Sequence, residues 1–169
     1  MKELLLLRHA KAKIIDGIED KERPLKKRGK RDAQNIGTWL KKQHLFPDVL
    51  LSSPAKRTLD TAKIVHRALE MEDLAIQENE QLYASNVEQI LSVLAVYPEE
   101  IKRILVVGHN PELENFLIHL VGKEALPNTP KLLPTGSLVR LSLDNVLWSE
   151  LSQKRAQFIS IIYAKSLLN

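Results

Sequence analysis

The fold is decided by one stretch in the second half of the chain, where residues 101–111 read IKRILVVGHNP. Residues 104–107 form an unbroken apolar run, which is typical of a strand buried on both faces of a sheet. Asn110 is a residue type that caps helices, and Pro111 is favoured in the first helical turn. The stretch therefore predicts a buried strand, a short polar turn and a helix, which is the repeating unit of a mostly parallel sheet.

The same order occurs earlier in the chain. Residues 4–7 (LLLL) and 48–51 (DVLL) predict two further buried strands, and residues 74–77 (LAIQ) predict a short one. Apolar residues at helical spacing predict helices over about 29–44, from Pro54 onward, over 87–94 and after Pro111. Residues 137–143 alternate, and 157–163 predict a last strand. We expect an α/β fold in a single domain over 1–169, a three-layer α/β/α sandwich whose mostly parallel sheet contains an antiparallel strand.

Composition excludes several classes of protein. The chain has no cysteine, so it has neither disulfides nor a thiol nucleophile. Its longest apolar runs are too short for a signal peptide or a membrane span, so we expect a cytoplasmic protein without a membrane partner. The net charge of +4 is concentrated in residues 26–31, where no aromatic residue interleaves with the basic ones. We expect a solvated first helical turn there and no nucleic-acid partner.

Three polar motifs follow three of the predicted strands. Arg8-His9 follows the first, residues 52–57 (SSPAKR) follow the second, and Gly108-His109 follows the strand that ends at Val107. Because the carboxyl ends of parallel strands meet at one edge of a sheet, we expect these motifs to share a crevice. Arginine forks and helix N-termini bind phosphate, and histidine serves as nucleophile, metal ligand or acid–base group.

Each motif alone also fits a structural role: a hydrogen-bonded histidine, a surface arginine or a helix cap. Zinc is a chemical rival, but two histidines would need a third protein ligand, and the neighbouring arginines would repel the ion. We therefore expect no metal. The glycine-rich nucleotide motifs and the G-x-S-x-G serine motif are absent. The residues themselves favour phosphate chemistry at this edge.

These motifs resemble the signatures of a known family. Leu7-Arg8-His9-Ala10 is similar to the Arg-His-Gly signature of the histidine phosphatase superfamily. Residues 52–62 and Val107-Gly108-His109-Asn110-Pro111 resemble its second and third signatures. The short chain and Arg23-Pro24-Leu25 are most similar to the SixA-type phosphohistidine phosphatases. The resemblance covers the chain to about Leu143 and implies a phosphoglycerate mutase-like fold, with no cofactor.

The resemblance also implies roles for particular residues. His9 would accept the phosphoryl group, and Arg8, Arg57 and His109 would hold its oxygens, with Arg23 nearby. Glu80 is the candidate proton donor, or else a solvated loop carboxylate. One departure is Ala10, where the superfamily usually has glycine, and alanine fits only if φ is negative.

The implied activity is hydrolysis through a phosphohistidine on His9. The substrate would be phosphohistidine on a phosphorylated protein, because the chain has no insertion long enough to cap the crevice. The alternatives are a small phosphate ester as substrate and a non-catalytic phosphohistidine-binding module.

Overall fold

The computed structural model describes residues 1–167, so the last two residues of the expected domain, 168 and 169, lie outside the described residues. The strands are β1 (Lys2–Arg8), β2 (Val49–Ser52), β3 (Ile76–Glu78), β4 (Arg103–Gly108), β5 (Ser137–Leu143) and β6 (Gln157–Tyr163). The α-helices are α1 (Lys27–Lys42), α2 (Lys56–Leu69), α3 (Val87–Ala95) and α4 (Glu112–Val121). No helix within residues 1–167 is long and apolar enough to cross a membrane.

The six strands form one sheet in the order β3-β2-β4-β1-β5-β6. Strands β1 to β4 pair in parallel, whereas β5 is antiparallel to β1 and to β6. Among the described strands, β5 is therefore the one that runs against the rest. The expected fold class is confirmed, including the antiparallel strand.

Two apolar layers cover the sheet, because successive side chains of a strand point to opposite faces. Leu4 and Leu6 of β1 pack with the apolar faces of α3 and α4, whereas Leu5 and Leu7 pack with those of α1 and α2. The middle strands are thus buried on both faces, which is why they read as unbroken apolar runs. Their polar ends, where the chain leaves the core, remain available for chemistry.

Two predicted helix starts were wrong by one or two residues. Ser53 does not cap α2, because its N–H donates to Val107 O (3.1 Å) and continues the pairing of β2 with β4. The helix begins at Lys56, with Ala55 at the cap position. On α4 the cap position is occupied by Pro111, one residue later than expected, while Asn110 Oδ1 still accepts the Glu114 N–H of the first turn (3.3 Å). The predicted strand at 74–77 is instead Ile76–Glu78, because Leu74 N–H is bound in a turn to Met71 O.

Candidate active site

The carboxyl ends of β1, β2 and β4 meet at one edge of the sheet, as expected. His9 follows β1 directly, and its N–H donates to Gly108 O at the end of β4 (3.1 Å). A cavity of about 400 Å³ opens at this edge. Of the residues singled out from the sequence, five line it: Arg8, His9, Arg23, Arg57 and His109.

The orientation of the His9 ring follows from one hydrogen bond. Nδ1 lies 2.8 Å from Ala10 O. Because a carbonyl oxygen can only accept, Nδ1 carries the proton, and Nε2 of the neutral ring keeps its lone pair. Burial is the largest cause and lowers the pKa of His9 to about 3; the bond to Ala10 opposes this shift, and the neighbouring His109, Arg57 and Arg8 add to it. His9 is therefore a neutral imidazole at neutral pH, with a free lone pair on Nε2.

Ala10 is compatible with the position that the superfamily usually gives to glycine. Its φ lies outside the positive range, so its side chain introduces no backbone strain. The residue is fully buried, and its N–H donates to Thr61 Oγ1 of α2 (3.1 Å). The same hydroxyl donates to Arg57 O (2.7 Å). Through these two hydrogen bonds, Thr61 connects the segment that carries His9 to the turn of α2 that carries Arg57.

His109 faces His9 across the cavity. The ring centroids lie 5.4 Å apart, and Nε2 of His109 is 2.8 Å from Ser53 Oγ. Burial lowers the pKa of His109 to about 4, with Arg57 as the next cause. A bound dianion would act in the opposite direction and favour the protonated ring. His109 can therefore donate a hydrogen bond to a phosphoryl oxygen and become more cationic when one is present.

The side chains of Arg8 and Arg57 are fixed by hydrogen bonds to the protein. Arg8 donates through Nη1 to Leu133 O (2.8 Å), and Arg57 donates to Asp20 O (2.7 Å) and Asp20 Oδ2 (2.9 Å). The Nε atoms of Arg8 and Arg57 are buried, and within residues 1–167 neither has a hydrogen-bond partner. A buried guanidinium N–H without a partner is costly, so both point to an anionic ligand at this position.

Arg23 joins the same group through Asp20. Its Nε donates to Lys13 O (2.9 Å) and its Nη1 to Asp20 Oδ1 (3.2 Å). Asp20 therefore lies between Arg23 and Arg57 and contacts both guanidinium groups. The geometry brings Arg23 to the cavity wall, where its remaining donors are available to a ligand.

Asp20 and Tyr83 are functional candidates that the sequence analysis missed. The Tyr83 hydroxyl donates to Asp20 Oδ2 (2.6 Å), and both residues line the cavity. This hydrogen bond, with those from Arg57 and Arg23, holds the pKa of Asp20 well below its usual range. Asp20 begins a short 3-10 helix, Asp20–Glu22, in a segment whose sequence shows no strand or helix pattern. The sole signal was its spacing of three residues before Arg23.

Glu80 lies outside the cavity wall. Its side chain is 77% exposed and forms an ion pair with Lys21 Nζ (3.2 Å). Apart from Asp20, the carboxylate that does line the wall is that of Glu112, in the first turn of α4. Glu112 was missed because it was read as part of the helix start after Pro111. The structure therefore separates Glu80 from the histidines and arginines that it brings together.

Two close backbone contacts fix the segment that carries His9. Gly136 N–H is shared between Arg8 O (3.2 Å) and His9 O (3.1 Å). Gly29 of α1 packs on the chain after His9, so tightly that a Cβ there would lie 2.2 Å from Lys11 O. Residues 1–167 contain no cluster of three or more His, Cys, Asp or Glu side chains that could hold a metal ion. The arrangement is thus a fixed imidazole among cationic anion-binding groups.

Comparison with known proteins places this geometry in context. Residues 4–90 match the model of the histidine phosphatase superfamily (branch 1). A SixA-type structure from Agrobacterium tumefaciens is 29% identical, with a TM-score of 0.80 over 95% of this chain and 97% of that one. The phosphohistidine phosphatase SixA of Escherichia coli K12 is 26% identical over 84% of this chain and 86% of its own.

An uncharacterized protein of Mycobacterium tuberculosis, Rv1276c, is 33% identical over 62% of this chain. The match spans 63% of that relative's own length.

Proposed function

We propose that this chain, which belongs to the histidine phosphatase superfamily, is a phosphatase that works through a covalent phosphohistidine on His9. In the first step, Nε2 of His9 attacks phosphorus in line while the bond from phosphorus to the leaving group breaks. In the second step, water attacks the phosphorus of the phospho-enzyme and the P–Nε2 bond breaks. The P–Nε2 electron pair returns to Nε2, the water oxygen becomes the fourth oxygen of inorganic phosphate, and the surplus water proton passes to solvent.

The observation that carries this proposal is the pairing of a neutral imidazole with guanidinium donors that lack partners. His9 is held with its lone pair on Nε2, and the buried Nε atoms of Arg8 and Arg57 have no partner among residues 1–167. Fixed donors of this kind stabilise the charge that develops on phosphoryl oxygens during transfer. His109 would complete the oxygen-binding group from the opposite side of His9.

The substrate we propose is phosphohistidine on a protein. Its leaving group is an imidazole, which needs a proton less than an alkoxide does. The site fits this requirement: Glu80 lies outside the cavity wall, and Asp20 is held ionised and so has no proton to give at neutral pH. The similar Escherichia coli protein is named as a phosphohistidine phosphatase. A small phosphate ester is the alternative substrate.

The test is to trap the phospho-enzyme. The protein is mixed with a radiolabelled phosphohistidine peptide, quenched in alkali and digested to map the label. We expect the label on His9, stable in base and lost in acid. His9→Ala should abolish turnover of both the peptide and p-nitrophenyl phosphate. His119→Ala, on α4, is the matched control and should behave as wild type.

The outcomes separate the alternatives. Near-native turnover in His9→Ala would contradict the mechanism. Tight binding of the phosphohistidine peptide without turnover would identify a binding module. Selective turnover of one alkyl phosphate, with the peptide ignored, would identify a small-molecule phosphatase.

We also propose that no metal is required, because the arginines supply the positive charge that a metal ion would provide. Exhaustive chelation should therefore leave kcat unchanged. Loss of activity that zinc or magnesium restores would contradict this part of the proposal.

A further inference from the structure

A second groove, of about 600 Å³, continues from the candidate active site along the surface. The groove and the cavity share three wall residues: Arg8, Lys11 and Thr135. The groove therefore lies next to the place where the phosphoryl group of the proposed substrate would contact His9 and Arg8. Nothing in the proposed hydrolysis uses it.

The groove is strongly cationic. Besides Arg8, it is lined by Lys11, Arg28, Lys131 and Lys165, with Asp32 as its one acidic residue. Arg28, Lys131 and Lys165 are exposed. No carboxylate among residues 1–167 lies within 4.0 Å of the charged nitrogens of Lys11, Arg28, Lys131 or Lys165. Cations that the protein leaves without ion pairs are available to an anionic partner.

These cations come from separate parts of the chain. Lys11 follows β1, Arg28 lies in the first turn of α1, Lys131 lies between α4 and β5, and Lys165 follows β6. A single second phosphate would need a compact cluster of donors. Four cations along the wall of a groove of about 600 Å³ instead match an extended acidic segment, because complementary charges along an interface fix orientation and speed association.

The surroundings favour a protein over a nucleic acid. Tyr163 is the one aromatic residue among those that line the groove, whereas single-stranded nucleic acids bind on several stacked aromatic rings. Ile14, which lines the active-site cavity that adjoins the groove, has 85% of its surface exposed. An exposed isoleucine beside a basic groove suits a protein surface that is part acidic and part apolar.

We propose that this groove docks the acidic segment flanking the phosphohistidine of a protein substrate, so that charge next to the phosphorylated residue determines specificity. This inference rests on the proposed phosphatase function. It adds which substrates are preferred and which residues select them. Lys131 and Lys165 line the groove and not the active-site cavity, so they are the residues through which it can be tested alone.

The experiment uses three synthetic peptides with one central phosphohistidine, flanked by glutamate, by serine and glycine, or by lysine. Phosphate release is measured for the full chain and for the double variant Lys131→Glu/Lys165→Glu. The control is Lys42→Glu/Lys102→Glu, which makes the same change in net charge at exposed positions on the opposite edge of the sheet. p-Nitrophenyl phosphate, which has no flanking segment, reports on the phosphoryl site.

The wild-type protein should prefer the glutamate-flanked over the lysine-flanked peptide by at least about tenfold in kcat/KM at low salt. The preference should shrink as salt screens the charges. The groove variant should lose or invert it, mainly through KM, while the control keeps it. An equal rate for all three peptides, or a preference that survives the groove variant, would overturn the inference.

Two further outcomes would have a different meaning from those above. Stronger competition by a single-stranded DNA oligonucleotide than by a polyglutamate peptide would assign the groove to nucleic acid and overturn the inference. Absence of hydrolysis of every peptide and of p-nitrophenyl phosphate would instead refute the proposed function.

Discussion

The carboxylate of Asp20 lies 2.9 Å from Nη2 of Arg57, the guanidinium group that is expected to hold the phosphoryl oxygens. The same oxygen of Asp20 accepts the Tyr83 hydroxyl, and its other oxygen accepts from Arg23. An internal anion thus already binds two arginines of the site. A phosphoryl dianion that binds there must either displace this carboxylate or share donors with it against charge repulsion.

The first prediction concerns this competition. Asp20→Asn should lower the inhibition constant of inorganic phosphate by on the order of fivefold, because it removes one negative charge at a half-exposed position. The amide oxygen can still accept from Tyr83 and Arg57, so the segment should keep its place. Asp16→Asn, in the same segment and exposed, is the matched control. Unchanged phosphate inhibition in Asp20→Asn would show that Asp20 does not compete with the ligand.

The second prediction concerns the geometry of Arg57. Arg57 binds two oxygens of Asp20 through its two terminal nitrogens and keeps Nε for another partner. Lysine has the charge but not the planar fork. Arg57→Lys should therefore cost about 2–4 kcal/mol of transition-state stabilisation, which is seen as a fall in kcat/KM.

Steady-state kinetics with p-nitrophenyl phosphate measure this loss. Arg67→Lys, near the other end of α2, is the control and should have no effect. Wild-type kinetics in Arg57→Lys would mean that Arg57 only anchors Asp20.

The sequence was sufficient for the fold class and for the choice of Arg8, His9, Arg23, Arg57 and His109, five of the residues that line the cavity. Strand ends in a parallel sheet converge by geometry, so Arg8, His9 and His109 could be placed together from apolar runs alone. Asp20 could not be placed in this way, because the segment between β1 and α1 has no periodicity that fixes its path. Its position depends on long-range hydrogen bonds to Arg57 and Tyr83, which a local pattern does not encode.

The sequence indicated only part of the basic groove. Arg28 belongs to the basic run at 26–31, which was interpreted as a solvated first helical turn. That interpretation described its exposure correctly but could not show which residues lie beside it. Lys131 and Lys165 are more than a hundred residues away in the chain and come next to Arg28 only through the sheet order.

The third prediction concerns the leaving group. Glu80 is not placed to protonate a leaving group, because its exposed carboxylate lies outside the cavity wall. The protein should therefore hydrolyse aryl phosphates and phosphohistidine much faster than alkyl esters such as phosphoserine, by about 10²-fold or more. Glu80→Gln should change neither rate.

Glu112→Gln is the informative comparison, because Glu112 does line the wall. Selective loss of alkyl-ester turnover in that variant would identify Glu112 as the acid. The same selective loss in Glu80→Gln would contradict the placement of Glu80 described above.

The fourth prediction concerns the packing of α1 against the nucleophile segment. A Cβ on Gly29 would lie 2.2 Å from the backbone oxygen of Lys11, two residues after His9. Gly29→Ala should therefore destabilise the protein by about 1–3 kcal/mol and lower kcat, because α1 and the His9 segment must move apart. Urea unfolding and kinetics measure the two effects. Lys30→Ala, the exposed neighbour, should change neither, and normal stability in Gly29→Ala would disprove this close contact.

The last prediction concerns pH and the two buried histidines. The folded protein holds the pKa of His9 at about 3 and that of His109 at about 4, whereas both lie near 6.5 in the unfolded chain. Between these values the unfolded state binds protons that the folded state does not. The free energy of unfolding should therefore fall as the pH falls from about 6.5 towards 4, by at most about 1.4 kcal/mol per pH unit for each histidine.

This loss of stability is absent above pH 6.5, and it stops growing once the pH is below the folded pKa values. His9→Asn tests its origin, because asparagine can still donate to Ala10 O but does not titrate. Urea unfolding across this pH range should give a shallower slope for His9→Asn than for wild type. Asp20, whose folded pKa is depressed, adds a loss at lower pH, below about 4, so the slope above pH 4 is free of the Asp20 effect. An identical slope in His9→Asn would show that His9 is not held neutral by burial.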